Sequence, residues 1–182
     1  MLGEAAARTL AAVLPDCVAV IGLADQVLEA RFRALGMTVI RNPGAASGIA
    51  TSLACGIRAR PRASGWLVAL ADMPSIRPAT VAAVARALQE GAPIAAPSWH
   101  GRRGHPVGFG AAFQAELLAL ADGPRPDQGA RTLLRRHANR IRLLPVDDPG
   151  ILQDVDRPAD LRTGPSRSTP GACGPQPRRD PV

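Results

Sequence analysis

The sequence predicts an α/β domain of three layers, a mostly parallel sheet with helices on both faces. Three observations carry this. Short runs of Val, Ile, Leu and Ala alternate with helix-like segments along the chain. The clearest run, WLVALAD at 66–72, is apolar on both faces, as strands are in a sheet covered from both sides. The 182 residues, 46% of them hydrophobic, suffice for one buried core.

The elements follow in order. LGEAAARTLAAVL at 2–14 is rich in strong helix formers. After a Pro-Asp turn, CVAVIG at 17–22 is a short strand, and residues 25–35 form a helix that stops at Gly36. MTVIR at 37–41 is a strand closed by Asn42-Pro43, and Ser47 is the candidate N-cap of the helix that follows. Strand 66–72 is next, and Pro78 opens a helix to about Glu90. APIAAP at 92–97 is a strand. GRRGHPVGFG at 101–110 then reads as a loop leading into a short extended piece at 106–109, because a strand would waste its charges and a helix would reject Pro106. Helices at 111–121 and 129–138, a strand at 140–146, a loop and a last short helix near Pro158 complete the domain, 1–163. Residues 164–182 are Pro, Gly, Ser and Arg and are expected to be disordered.

Composition narrows the function. The net charge is +7, yet the arginines are scattered and aromatics make up 3% of the chain, so nucleic-acid binding is not expected. No apolar run could cross a membrane, and MLGEAAARTL is neither a secretory signal nor an anchor. Cys17, Cys55 and Cys173 form no metal framework and suit a reducing cytoplasm. His100 and His105 lack partners at zinc-ligand spacing, and His137 on a basic helix reads as a surface residue. The chain contains no lysine.

Ligands of such sheets bind beyond the carboxyl ends of the strands. Asp72 stands there, as either a Mg²⁺-holding carboxylate or a strand-end cap. Asp154 and Asp156 share one side of an extended segment, and either could face Asp72; Asp156 is equally placed to cap the helix near Pro158. NPGAASGIATSLACG at 42–56 offers small residues and free N–H groups to an anion or a base edge, or is a plainly capped helix. It is not a Walker loop. Asp127 reads as a cap before the helix carrying Arg131.

In order, NPxxxxGIxxSLxxG, LVALADMP, GRRGHPVGFG, DQGARTLL and DDPGILQDVDRPADL resemble the motifs of the molybdenum cofactor cytidylyltransferases, within the MobA-like nucleotidyltransferases, over about residues 2–162. GRRGHPV resembles the cytidylyl branch more than the guanylyl one. The resemblance implies a Rossmann-like domain of the nucleotide-diphospho-sugar transferase type. It implies Mg²⁺-dependent transfer of CMP from CTP to molybdopterin-type molybdenum cofactor, with release of pyrophosphate. It assigns Asp72 and Asp156 to catalysis, with Asp154, through the metal. It places Gly48 and Ser52 toward the base, and Gly104, His105 and Pro106 on the substrate side. Arg102 and Arg103 suit bidentate contacts to phosphate. CTP, the molybdenum cofactor and a molybdoenzyme client are the implied partners.

The resemblance starts beyond the family's first strand and its glycine-rich triphosphate loop, LAAGxSxRMGxxK. No such motif occurs elsewhere, and the flanking strands are expected to carry unpaired edges. One expectation is a natural chain longer by about 25–30 residues, a βα unit. The alternative is a non-catalytic cofactor-binding module or chaperone. A related transferase using another nucleotide or acceptor is a further alternative.

Overall fold

The computed structural model describes residues 2–23 and 25–155. The expected helix near Pro158, the domain boundary at 163 and the tail 164–182 lie outside the described residues, as does Asp156. The expected α/β order is present: α1 Leu2–Ala11, β1 Val18–Ile21, α2 Gln26–Ala34, β2 Thr38–Arg41, α3 Ile49–Ala59, β3 Gly65–Val68, α4 Pro78–Gln89, β4 Ile94–Trp99, β5 Arg102–Arg103, β6 Val107–Gly110, α5 Gln114–Ala119, α6 Arg131–Arg136 and β7 Ile141–Pro145.

Local chemistry sets several boundaries. The Asp25 carboxylate accepts the Leu28 N–H at 2.9 Å and caps α2. Pro78, which has no N–H to leave unpaired, begins α4. Ser47 does not cap α3, contrary to expectation. It ends a 3₁₀ turn, and Gly48 takes the cap position at φ +126°, with the Thr51 hydroxyl donating to its carbonyl at 2.8 Å. Asp127 is likewise no cap. It lies in the 3₁₀ turn Pro126–Gln128, and Ala130 precedes α6. Strand β3 is shorter than WLVALAD, since residues 69–72 leave the ladder.

The sheet falls into two pieces. β1 and β2 pair in parallel through the α2 crossover. The second piece orders β3, β6, β4 and β5, with β7 parallel to β4. In it β3, β4 and β7 run one way, and β5 and β6 run against them. Among the described residues β1 pairs with β2 alone and β3 with β6 alone, so each has an unpaired edge.

The reversed strands come from GRRGHPVGFG. Residues 102 and 103 form β5 rather than the expected loop. His100 (φ +48°) and Gly101 (φ +75°) supply a two-residue turn of the kind that returns a strand on its neighbour. Trp99 pairs with Arg102 and Ser98 with Arg103. The charges are not wasted, because β5 is exposed and its arginines reach water.

Helices cover both faces. Ile57 of α3, Phe113, Leu117 of α5 and Leu133 of α6 pack on Trp66, Ile94 and Phe109. On the other face Val84 and Ala87 of α4 pack on Ala95, with Leu67 and Leu144 beside them. Leu10, Val13 and Leu14, in and just after α1, pack on Met73 and Ile76, which follow β3. That packing fixes the segment on which the first candidate carboxylate stands.

Candidate active site

Asp72 lies four residues beyond the end of β3 and is exposed. Buried Met73 (4% exposed) and Ile76 (7%) pin the backbone behind it. The chain from Asp148 to Val155 forms a strap across this segment. It begins as a 3₁₀ turn, Pro149–Leu152, and continues without regular structure. The Val155 N–H donates to the Asp72 carbonyl at 2.9 Å. Val155 is buried, and its exposed neighbour Asp154 is thereby carried to Asp72. The backbone segments that bear these two expected metal-site residues adjoin; the third residue, Asp156, is not described.

The same strap meets the arginine hairpin. The His105 N–H donates to the Ile151 carbonyl at 3.0 Å, and the Gly104 N–H to the Pro97 carbonyl at 2.9 Å. Gly104 has to be glycine here, because a Cβ would collide with the Ile151 carbonyl oxygen and lie 2.7 Å from the Ile151 Cβ. Arg102 and Arg103 are exposed on β5, next to this contact. Pro106 follows a cis peptide bond and lines a small apolar cavity with Leu70, Met73 and Val81.

His105 is the electrostatically unusual member. Its Nδ1 is buried with no hydrogen-bond partner among the described residues. Burial holds the imidazole below its ordinary pKa, and the Arg103 charge lowers it further, with Asp72 opposing. The last two effects put Arg103 and Asp72 on either side of His105 electrically. Burial thus favours the uncharged ring.

Gly48 and Ser52 sit at the start of α3, apart from this cluster. The Asn42 amide donates to the Thr51 and Ser52 hydroxyl oxygens at 2.9 and 3.0 Å, while its carbonyl oxygen accepts the Gly44 N–H at 2.9 Å. A Cβ on Gly48 would lie 2.5 Å from the Asp127 nitrogen, so the PDQGA turn closes directly on this loop. Gly48 therefore serves the packing of two loops. The Ser52 hydroxyl accepts from Asn42 and keeps its own proton to donate.

Sequence reasoning missed Asn42 and Asp148. Asp148 is buried (2% exposed) and accepts three hydrogen bonds. An Asp before Pro-Gly was its one local signal. His137 is also not the surface residue expected. Its side chain is 18% exposed, its Nε2 lies 2.9 Å from Glu116, and its ring meets Phe113 edge-on at 5.1 Å.

Among the described residues no three His, Cys, Asp or Glu side chains converge on a point that could hold a metal. Asp72 and Asp154 are two exposed carboxylates, hard oxygen donors, on adjoining backbone segments. That suits a cation such as Mg²⁺, which keeps waters and takes one or two carboxylates together with substrate phosphates. Among the described residues no helix is long and apolar enough to cross a membrane.

Solved structures similar to the chain include Rv0371c from Mycobacterium tuberculosis, at 27% identity over 88% of this chain and 80% of that one, with a TM-score of 0.65. A second structure of Rv0371c is a complex with manganese, at 26% identity over 88% and 83% of the two chains and a TM-score of 0.64. A nucleotidyl transferase from Methanothermobacter thermautotroptrophicus (Mth528) shares the fold at 21% identity, over 88% and 77% of the chains, with a TM-score of 0.71. So does the molybdopterin-guanine dinucleotide biosynthesis protein A of Archaeoglobus fulgidus, at 17% identity, over 78% and 74%, with a TM-score of 0.51. No curated protein matches the chain. The sequence model of the MobA-like NTP transferase domain matches residues 1–141, and the chain belongs to that family.

Proposed function

We propose that this MobA-like domain transfers CMP from CTP to the phosphate of molybdopterin-bound molybdenum cofactor, releasing pyrophosphate. The observation that carries the reading is the strap. Its backbone hydrogen bonds to Asp72 and His105 join the segments that carry Asp72, Asp154, Arg102, Arg103 and His105, which supports placing one site there. Phosphoryl-type transfer asks mainly for positioning and charge neutralisation, and this set offers both.

Asp72 and Asp154 would hold the divalent cation, Mg²⁺ in this reading, with Asp156 assigned to the same site by the resemblance. A cation held there supplies charge neutralisation to phosphate oxygens. The manganese complex of Rv0371c is in keeping with such a site. Arg102 and Arg103 take phosphate charge bidentately. Gly104, His105 and Pro106 shape the substrate side. Gly48 and Ser52 face the base, where the Ser52 hydroxyl can donate. The cytidylyl choice and the molybdenum cofactor acceptor rest on the resemblance of GRRGHPV. A cytoplasmic location, handing product to a molybdoenzyme client, goes with the same reading.

A second reading is a module that binds the cofactor without transferring nucleotide. One experiment separates the two. The protein is incubated with CTP or GTP, Mg²⁺ and reduced molybdenum cofactor, and pyrophosphate and cytidylylated product are measured. The transferase reading expects release with CTP in preference to GTP. Cofactor binding without nucleotide binding or release contradicts it.

A further inference from the structure

The strap that joins the two halves of the site is anchored by a residue outside it. Asp148 lies at the start of the strap and is 2% exposed. Its Oδ2 accepts the Arg77 N–H at 2.9 Å and the Thr80 hydroxyl at 2.6 Å. Its Oδ1 accepts the Gly150 N–H at 3.1 Å. Arg77 stands at the N-cap position of α4 and Thr80 lies in its first turn.

A carboxylate is a costly group to bury, and apolar packing would hold a loop as well. What a carboxylate adds is direction. Three donors fix its plane, and the plane fixes where the chain leaves. Gly150 then passes close against the Ser75 carbonyl, where a side chain could not fit. From there Ile151 (1% exposed) enters the core and presents its carbonyl to His105, and Val155 presents its N–H to Asp72.

We propose that Asp148 is a positioning residue: through Thr80 and the α4 N-terminus it sets the strap so that Asp154 stands beside Asp72 and the Ile151 carbonyl holds His105. This rests on the transferase reading for what the site does, but not for how the strap is held.

The test uses Thr80, so that it does not depend on whether Asp148→Asn folds. Thr80→Val removes the hydroxyl with little change in shape, and Thr80→Ser keeps it. Amide hydrogen exchange is followed at His105 and Val155, with amides of the β4–β7 ladder as the internal reference. Mn²⁺ titrations are run on the same proteins. The expected result is exchange at both amides roughly tenfold faster in Thr80→Val, with the ladder unchanged, and normal behaviour in Thr80→Ser. Mn²⁺ affinity falls on the order of tenfold in Thr80→Val alone. Asp148→Asn, where it folds, behaves as Thr80→Val. Unchanged exchange at His105 and Val155 overturns the proposal, and so does uniform acceleration of all amides, which marks a merely structural contact. Faster local exchange with unaltered Mn²⁺ affinity overturns it as well, since the strap would then position nothing. A wild-type protein that binds no Mn²⁺ contradicts the transferase reading instead.

Discussion

The backbone N–H of Val155 donates to the carbonyl of Asp72 at 2.9 Å. The contact is between main chains, so it joins the two backbone segments whatever rotamers their side chains adopt. It brings the segments of Asp154 and Asp72, which lie on separate elements, side by side, and the proposed transferase reading puts both carboxylates in one site. Asp154→Asn is expected to raise the half-saturating Mg²⁺ concentration on the order of tenfold while leaving the melting temperature unchanged. A Mg²⁺ titration of pyrophosphate release reads the first, and a thermal melt the second. An unchanged Mg²⁺ requirement removes Asp154 from the site.

Arg102 and Arg103 are exposed on a two-residue edge strand. Replacing either with Gln should cost little stability, within about 0.5 kcal/mol. Nucleotide or acceptor binding should weaken roughly tenfold for each, the effect of losing one charge-assisted contact of about 1.5 kcal/mol or more. The loss should shrink at high salt to the extent that the contact stays solvent-exposed. Calorimetric titration at two salt concentrations checks both statements.

Gly104→Ala would push a methyl group into the Ile151 carbonyl. The backbone on one side must move, at a cost of about 1–3 kcal/mol. Gly101→Ala, in the turn of the same hairpin, meets no neighbouring atom within 4 Å and pays only for its positive φ. Chemical denaturation of both variants should rank Gly104→Ala as the more damaging. The reverse order means that the strap gives way easily.

His105 makes stability depend on pH, with a definite sign. Its folded-state pKa lies below the unfolded value because burial, then Arg103, disfavour the charged ring. Above the unfolded pKa, about 6.5, neither state binds the proton and the residue has no effect. As pH falls through that value the unfolded chain takes up the proton first, and stability drops until the folded-state pKa is passed. His105→Asn should flatten that part of the profile. Denaturation between pH 4 and 8 measures it, and an imidazole NMR titration with its midpoint at or above the ordinary value would contradict the account.

Most of the fold was legible because it is locally encoded. Asp25 and Pro78 mark helix starts, and the apolar runs mark strands, by chemistry that needs no distant partner. The hairpin at 98–103 was harder to read. Its arginines look wrong for a strand until one knows that the strand is two residues long and lies at an edge. β6 runs backwards because a two-residue turn and a short link, not a helix, follow β4. In the candidate site, Asp72 was singled out from its place beyond a strand and Asp154 from its spacing in an extended run, and the structure adds the backbone contact between their segments. Asp148 was not, because its role depends on Thr80, a contact no local pattern announces. His137 misled for the same reason, since Phe113 and Glu116 that cover it come from another element.

In the proposed function the segment after β3 and the strap form one cation and nucleotide site. The most direct test compares wild type with Asp72→Asn, an exposed position where the change leaves the fold intact. Pyrophosphate release from CTP is measured with Mg²⁺ and the molybdenum cofactor acceptor present. The account predicts release by the wild type and its loss, by roughly a thousandfold or about 4 kcal/mol of transition-state stabilisation, in Asp72→Asn. Equal release by the two proteins would contradict it.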